Sequence, residues 1–230
     1  MLLVSDPAWS QQTVVLQQGV DGYEGTDDST IYEESPTFSN GGYDSIFAGK
    51  TRGLELTTLR RSAIRFDLSS IPSNAQVTAV TLSLVIAQSA SSDQPHNLHP
   101  IQKDWDEGTV SGIQRGGASD PGDMTWADNM SGSSSWTNLG GDFGPSSAQT
   151  FVGDAGNTIH FSSAAMASEV QGWIDAPANN FGWMMLGNEA SLKTAKRFHS
   201  SEATLQANRP ILTVVFESAA PPPVSTWRLR

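Results

Sequence analysis

The sequence contains no cysteine, and that absence excludes several kinds of chemistry at once. Disulfide bonds, thiolate nucleophiles and cysteine-ligated zinc all require the thiol. Long apolar runs are also missing, since none approaches the roughly 20 residues that a membrane-spanning helix needs. We therefore predict no membrane span. A chain of 230 residues is long enough to bury a sizeable core without crosslinks.

Positive charge is scarce. The chain has 13 Lys and Arg against 24 Asp and Glu, which gives a formal net charge of −11. Nucleic acid is a poor partner for such a surface, because phosphate contacts need a basic patch. Charged residues make up only 16% of the chain, and Gly and Ser are abundant. This composition favours an all-β secreted protein over a helical enzyme.

Alternation of apolar and polar residues predicts strands at 63–68 and 77–87. The turn residues at 69–74 join the two runs, so we expect adjacent antiparallel strands. Further short strands are predicted at 13–16, 29–32, 45–48, 157–161, 182–186, 196–199 and 211–217. A helix is predicted at 163–174, and 88–95 and 108–147 have no regular pattern. Many short strands, one short helix and long loops indicate an antiparallel β-sandwich.

Four segments in a fixed order carry a family resemblance. They read RRSAIRFDLSSIPSNAQVTAVTLSLVI (60–86), KDWDEGT followed by MTW (103–126), GWIDAPANNFGWMMLGNE (172–189) and AKRFHSSEATLQANRPILTVVF (195–216). Across residues 13–217 the chain resembles the DNRLRE family of exported β-sandwich domains. That family is similar to the family 96 carbohydrate-binding modules and to the disaggregatase-related repeats.

The resemblance implies a jelly-roll-like sandwich, an extracellular or cell-surface location and a non-catalytic role. It also implies binding of an acidic or neutral polysaccharide, such as a cell-surface glycan. The predicted domain is 13–217, preceded by an N-terminal extension (1–12) and followed by a Pro-rich tail (218–230). No G-x-S-x-G, P-loop or dinucleotide-binding glycine pattern is present, which also favours a protein that is not an enzyme.

Two groups of charged residues are candidates for chemistry. Arg65 and Asp67 lie two positions apart on one predicted strand, so both point to the same face. Such a pair is either ligand-facing or, as the simpler interpretation, an ion pair on the outer face of the sheet. The stretch 21–29 gathers four carboxylates, which predict a Ca²⁺ site or a solvated acidic loop: Asp21, Glu24, Asp27 and Asp28. A second acidic loop holds Asp104, Asp106 and Glu107.

Three tryptophans in or beside the long loops are candidates for ligand binding: Trp105, Trp126 and Trp136. Sugar rings stack on exposed aromatic planes, so these side chains could form a glycan platform. The alternative is that each ring anchors its loop to the core, because Trp is highly buried on average.

Three functions remain open at this stage, and the third is a polysaccharide-degrading enzyme, because the members of a hydrolytic carboxylate pair meet only in the fold. The first is an extracellular, calcium-stabilised module that binds polysaccharide. The second is a structural subunit of a filament, matrix or surface layer, in which copies of the chain form a homopolymer through their terminal extensions.

Overall fold

The computed structural model describes residues 9–52, 58–89 and 91–219. Its strands are β1 (Trp9–Leu16), β2 (Thr26–Tyr32), β3 (Phe38–Ser39), β4 (Ser45–Lys50), β5 (Leu59–Phe66), β6 (Gln76–Ser89), β7 (Gln94–Pro100), β8 (Gly117–Ala118), β9 (Asp128–Met130), β10 (Ser134–Ser135), β11 (Ala148–Val152), β12 (Thr158–Phe161), β13 (Trp183–Leu186), β14 (Lys196–His199) and β15 (Ile211–Ala219). One α-helix, α1, spans Ala164–Asp175, and single 3-10 turns span Ile113–Arg115, Pro177–Asn179 and Gln206–Asn208. The predicted all-β fold with one short helix is confirmed.

The main sheet is antiparallel and curls into a half-barrel. Its strand order is β1-β15-β6-β14-β4-β5-β13-β7-β11, with β12 beside β6 and β2 beside β5. Two small sheets, β9 with β10 and β3 with β8, lie outside this order. At 12 residues, α1 falls short of the length that would cross a membrane, and the described residues contain no longer helix.

The core lies inside the curl and takes alternate residues from each strand. Leu82 and Leu84 on β6 face Ile64 and Phe66 on β5, and all four are buried. The helix closes one end with its apolar stripe, which includes Trp173. Its predicted start is the N-cap, because the Ser163 hydroxyl accepts a hydrogen bond from the Met166 amide. The period-two pattern therefore marks the inward residues correctly.

The predicted pairing of β5 with β6 is wrong. β5 forms ladders with β2, β13 and β4, whereas β6 pairs with β15, β12 and β14. The link between them is itself anchored, because Leu68, Ile71 and Ala75 belong to the core cluster. It carries the chain across the core from one part of the curled sheet to another. Alternation indicates which face of a strand is buried and does not identify the neighbouring strand.

The boundaries of the sandwich differ from those predicted. β1 begins at Trp9 and pairs without interruption with β15, which continues to Ala219. Residues 9–12 and 218–219 therefore belong to the sheet and not to extensions. The remainder of the predicted extensions, 1–8 and 220–230, lies outside the described residues.

Candidate functional site

The three loop tryptophans are buried, so the expected exposed platform is wrong. Trp105, Trp126 and Trp136 expose 1%, 6% and 5% of their surface. The indole N–H of Trp105 donates to the Phe181 carbonyl over 2.8 Å, and that of Trp136 donates to Thr125 over 2.9 Å. Each of these two rings therefore has an internal partner for its only polar atom. The tryptophans anchor their loops, as the alternative interpretation proposed.

These tryptophans form a second core on the outer face of the sheet. On β5, Ala63 belongs to this second cluster and its neighbour Ile64 to the first. On β13, Met184 likewise belongs to the second cluster and its neighbour Trp183 to the first. The sheet is thus covered on both faces around β5 and β13. The long segment after β7 supplies the outer cover.

Arg65 lies on this outer face, and its ion-pair partners are Asp27 and Asp104 and not Asp67. Its guanidinium bonds Asp27 at 2.7 Å and Asp104 at 2.9 Å, and it lies 5.0 Å above the Trp105 ring. Asp67 instead accepts hydrogen bonds from the amide and hydroxyl of Ser69. Arg65 is therefore a structural ion-pair partner between strands, with partners that are distant in sequence.

The four carboxylates predicted as a metal site do not form one site. Asp27 and Asp28 are adjacent on a strand and point to opposite faces. Asp27 pairs with Arg65, while Glu24 accepts a hydrogen bond from Gln18. Asp21 occupies a turn with a φ of 51° and is exposed. Of the four, only Asp28 joins a carboxylate cluster.

That cluster consists of Asp28, Glu107 and Glu202, and it can hold a metal ion. One carboxylate oxygen from each residue lies within 4.8 Å of the others. Asp28 is fully buried on β2. Glu107 follows β7 in the long outer segment, and Glu202 follows β14 in a tight loop. The sequence separations are large, so only folding brings the three together.

The hydrogen bonds around the cluster leave two buried oxygens without partners. One Asp28 oxygen accepts from the Ser201 amide at 2.7 Å, and one Glu202 oxygen accepts from the Ser201 hydroxyl at 2.8 Å. The Asp28 amide donates to Glu107. The second oxygens, Asp28 Oδ1 and Glu202 Oε2, are buried and have no protein donor.

Burial and mutual repulsion raise the pKa of every member of the cluster. For Glu107, loss of solvent and then the Asp28 charge raise the pKa to about 10. Burial and then Glu202 raise the pKa of Asp28 well above its ordinary value. Burial likewise raises the pKa of Glu202. None of the ion pairs among the described residues involves these three groups. Without a cation, the cluster therefore favours protonated carboxyls.

The cluster is held in place by the segment between β3 and β4. A Cβ on Gly41 would lie 2.1 Å from the Glu107 carbonyl oxygen, so only glycine allows this approach. On the other side, the Ser200 hydroxyl donates to the Tyr43 carbonyl at 2.7 Å. One segment therefore contacts both loops that supply the glutamates.

A separate groove of about 370 Å³ concentrates the scarce positive charge. Its lining comprises Phe47, Thr51, Arg52, Arg60, Gln88, Gln114, Lys193, Ala195, Lys196 and Arg197. Five of the 13 Lys and Arg are in this set, and none of its residues is acidic. Lys196 directs its ammonium inward to Ser89, and Arg60 is buried and paired with Glu34. Three cations of the lining remain for a ligand: Arg52, Lys193 and Arg197.

The two arginines nearest the floor of the groove have unused donors. Arg60 is only 8% exposed, pairs with Glu34 at 3.1 Å and lies 5.2 Å above the rings of both Tyr32 and Phe47. Its Nε has no partner among the described residues, and the same is true of Arg197 Nε. Both Nε atoms are buried from solvent, so the groove does not offer them to a ligand as the two side chains stand.

Comparison with protein-family models and with curated proteins finds no match to this chain. The resemblance to the DNRLRE family therefore stays a prediction.

Proposed function

We propose that the protein is a non-catalytic, calcium-stabilised β-sandwich that acts outside the cell and binds an anionic polysaccharide in the basic groove. The observation that carries this proposal is the charge distribution. The chain has a net charge of −11, yet the lining of one groove includes Arg52, Lys193 and Arg197 and no acidic residue. The rest of the surface, which carries the excess of Asp and Glu, would repel a polyanion.

The chemistry of the groove suits a charged sugar chain. Arg guanidinium groups bind carboxylate and sulfate oxygens through paired hydrogen bonds. The amides of Gln88 and Gln114 supply donors and acceptors for hydroxyl groups, and Phe47 supplies an apolar contact. Screening limits attraction to about 8 Å at physiological salt, so this local cluster outweighs the distant acidic surface.

The groove is tested with the triple variant Arg52→Gln, Lys193→Gln and Arg197→Gln. We expect polygalacturonate in a native gel to retard the wild-type protein and to retard the variant at least tenfold more weakly, because the three lining cations that have no internal acidic partner are gone. Arg52 and Lys193 are exposed, so the fold should tolerate the change.

The matched control is Lys103→Gln, which removes a cation outside the groove. It should bind like the wild type. Equal retardation of the wild type and the triple variant would rule out the groove as the binding site. A reducing-end assay on the same mixture should stay flat, since we propose no cleavage of the polymer.

A structural subunit is the second candidate function, and the edge strand β1 favours it. β1 pairs only with β15 among the described strands, and its eight residues include no charge and no proline. Trp9 and Val15 expose 51% and 55% of their surface. Natural edge strands are usually blocked by charge or proline, because an open edge recruits another strand.

On this alternative, β1 would pair with the sheet edge of a second copy. The variant Gln11→Lys with Thr13→Lys places charge on that edge. We expect light scattering after gel filtration to give an assembled wild type and a monomeric variant. A wild type that is monomeric at all concentrations would exclude this function and leave the binding module.

A further inference from the structure

We infer that Asp28, Glu107 and Glu202 form one calcium site that joins three distant segments of the chain. This inference deepens the proposed function, because it gives the proposed calcium a place. It does not depend on polysaccharide binding. The residues differ from the predicted set, of which only Asp28 is retained.

Acidic clusters alone are common and need no ion, but a second observation distinguishes this one. Asp28 is fully buried, yet its Oδ1 has no hydrogen-bond donor. A buried carboxylate oxygen is normally satisfied by a donor or a metal. Arg209 is the cation whose charge acts on Glu202, but its guanidinium donates to the carbonyls of Ala203 and Gln18. The protein therefore leaves this oxygen free for an external cation.

The donor set selects among metals. All three ligands are carboxylates, which are hard oxygen donors suited to calcium or magnesium, whereas zinc favours nitrogen and sulfur. The three oxygens lie within 4.8 Å of one another, so one ion can contact all three. Calcium tolerates irregular ligand geometry, whereas magnesium demands a near-ideal octahedron and releases its waters reluctantly. Waters or backbone carbonyls would complete its six to eight ligands.

Binding would act as a crosslink. Asp28 is on β2, Glu107 follows β7 and Glu202 follows β14, so one ion would tie three parts of the fold. An ion that binds only the folded chain stabilises it by mass action.

The test uses the full chain with Asp28→Asn or Glu202→Gln, compared in EDTA and in calcium. We expect calcium to raise the melting temperature of the wild type by several degrees and to leave both variants unchanged. In EDTA the variants should melt at or above the wild-type temperature, since each amide is uncharged at every pH and removes a carboxyl whose ionisation the cluster opposes. The matched control Glu24→Gln removes a carboxylate from the originally predicted loop and should keep the full calcium response.

A second measurement does not require the variants to fold. Calorimetric titration of the wild type with CaCl₂ should give one site with a stoichiometry of one ion per chain. Magnesium should bind at least tenfold more weakly. A wild type that shows neither heat nor a shift in melting temperature with calcium would overturn the inference.

The same titration separates this inference from the proposed function. The triple variant in the basic groove should lose polysaccharide binding and keep its calcium response. If it loses the calcium response while the wild type retains it, the assignment of calcium to the carboxylate cluster is wrong.

Discussion

Replacing Lys196 with methionine should lower the free energy of unfolding by about 1–3 kcal/mol, the cost of leaving buried hydrogen-bond acceptors without their donor. Lys196 is 1% exposed at the start of β14. Its ammonium donates to the Ser89 hydroxyl at 2.6 Å and to the carbonyls of Ser91, Ser92 and Gly153 at 2.8–3.0 Å. Burial lowers the pKa of Lys196, and these acceptors keep the charge tolerable.

Methionine retains much of the side-chain volume, so the loss reports mainly the unsatisfied acceptors. The matched control is Lys193→Met, three positions earlier on an exposed turn, which should change stability by less than about 0.5 kcal/mol. Urea denaturation of both variants measures the effect. Similar stabilities for the two variants would show that the Lys196 hydrogen bonds contribute little.

The second large effect is a loss of stability with rising pH when divalent cations are removed. Glu107 has a pKa of about 10 in the folded chain, against an ordinary value of 4.5. The folded state therefore holds a proton that the unfolded state has lost throughout this interval. The contribution of Glu107 to the free energy of unfolding is therefore fully present below pH 4.5 and is lost as the pH rises towards 10. Asp28 and Glu202 act in the same direction.

The effect is best measured between about pH 6.5 and 9. In this range the free energy of unfolding can fall by about 1.4 kcal/mol per pH unit for each proton that the folded chain keeps and the unfolded chain has lost. Below it, His96 opposes the trend, because burial lowers its pKa to about 4. Above it, Lys196 begins to contribute in the opposite direction. Two further charges act on the cluster, since that of Asp27 acts on Asp28 and that of Arg209 acts on Glu202.

Urea denaturation in EDTA across this window should show falling stability for the wild type. The variant Glu107→Gln should show a shallower slope, and saturating calcium should remove the trend, because the bound carboxylates are ionised. Stability that is constant or rises between pH 6.5 and 9 in EDTA would contradict the electrostatic description of the cluster.

The sequence predicts well which residues of a strand face the core, and poorly which strands lie beside one another. The alternating runs at β5, β6 and β15 mark inward residues that are indeed buried. β7 was missed because QPHNLHP contains two prolines and two histidines, and the pattern shows no apolar alternation. Its inward residues, His96 and Leu98, are both fully buried, so tertiary packing overrides local preference here.

The site was harder to predict for a physical reason. Asp28 belongs to the predicted metal-binding set, but that prediction takes its neighbours in sequence to be its neighbours in space. Strand geometry turns Asp27 away, and folding instead brings in Glu107 and Glu202 from other segments. The loop tryptophans illustrate the same point, because whether an aromatic ring stacks on a ligand or on the core depends on packing that spacing does not encode.

Polygalacturonate and its fully methyl-esterified form provide the most direct test of polysaccharide binding in the basic groove. The two polymers share a backbone and differ only in charge. The wild-type protein should be retarded by the charged polymer, increasingly so as salt is lowered, and should pass the esterified polymer unhindered. Equal retardation by both polymers, or by neither, would contradict the account.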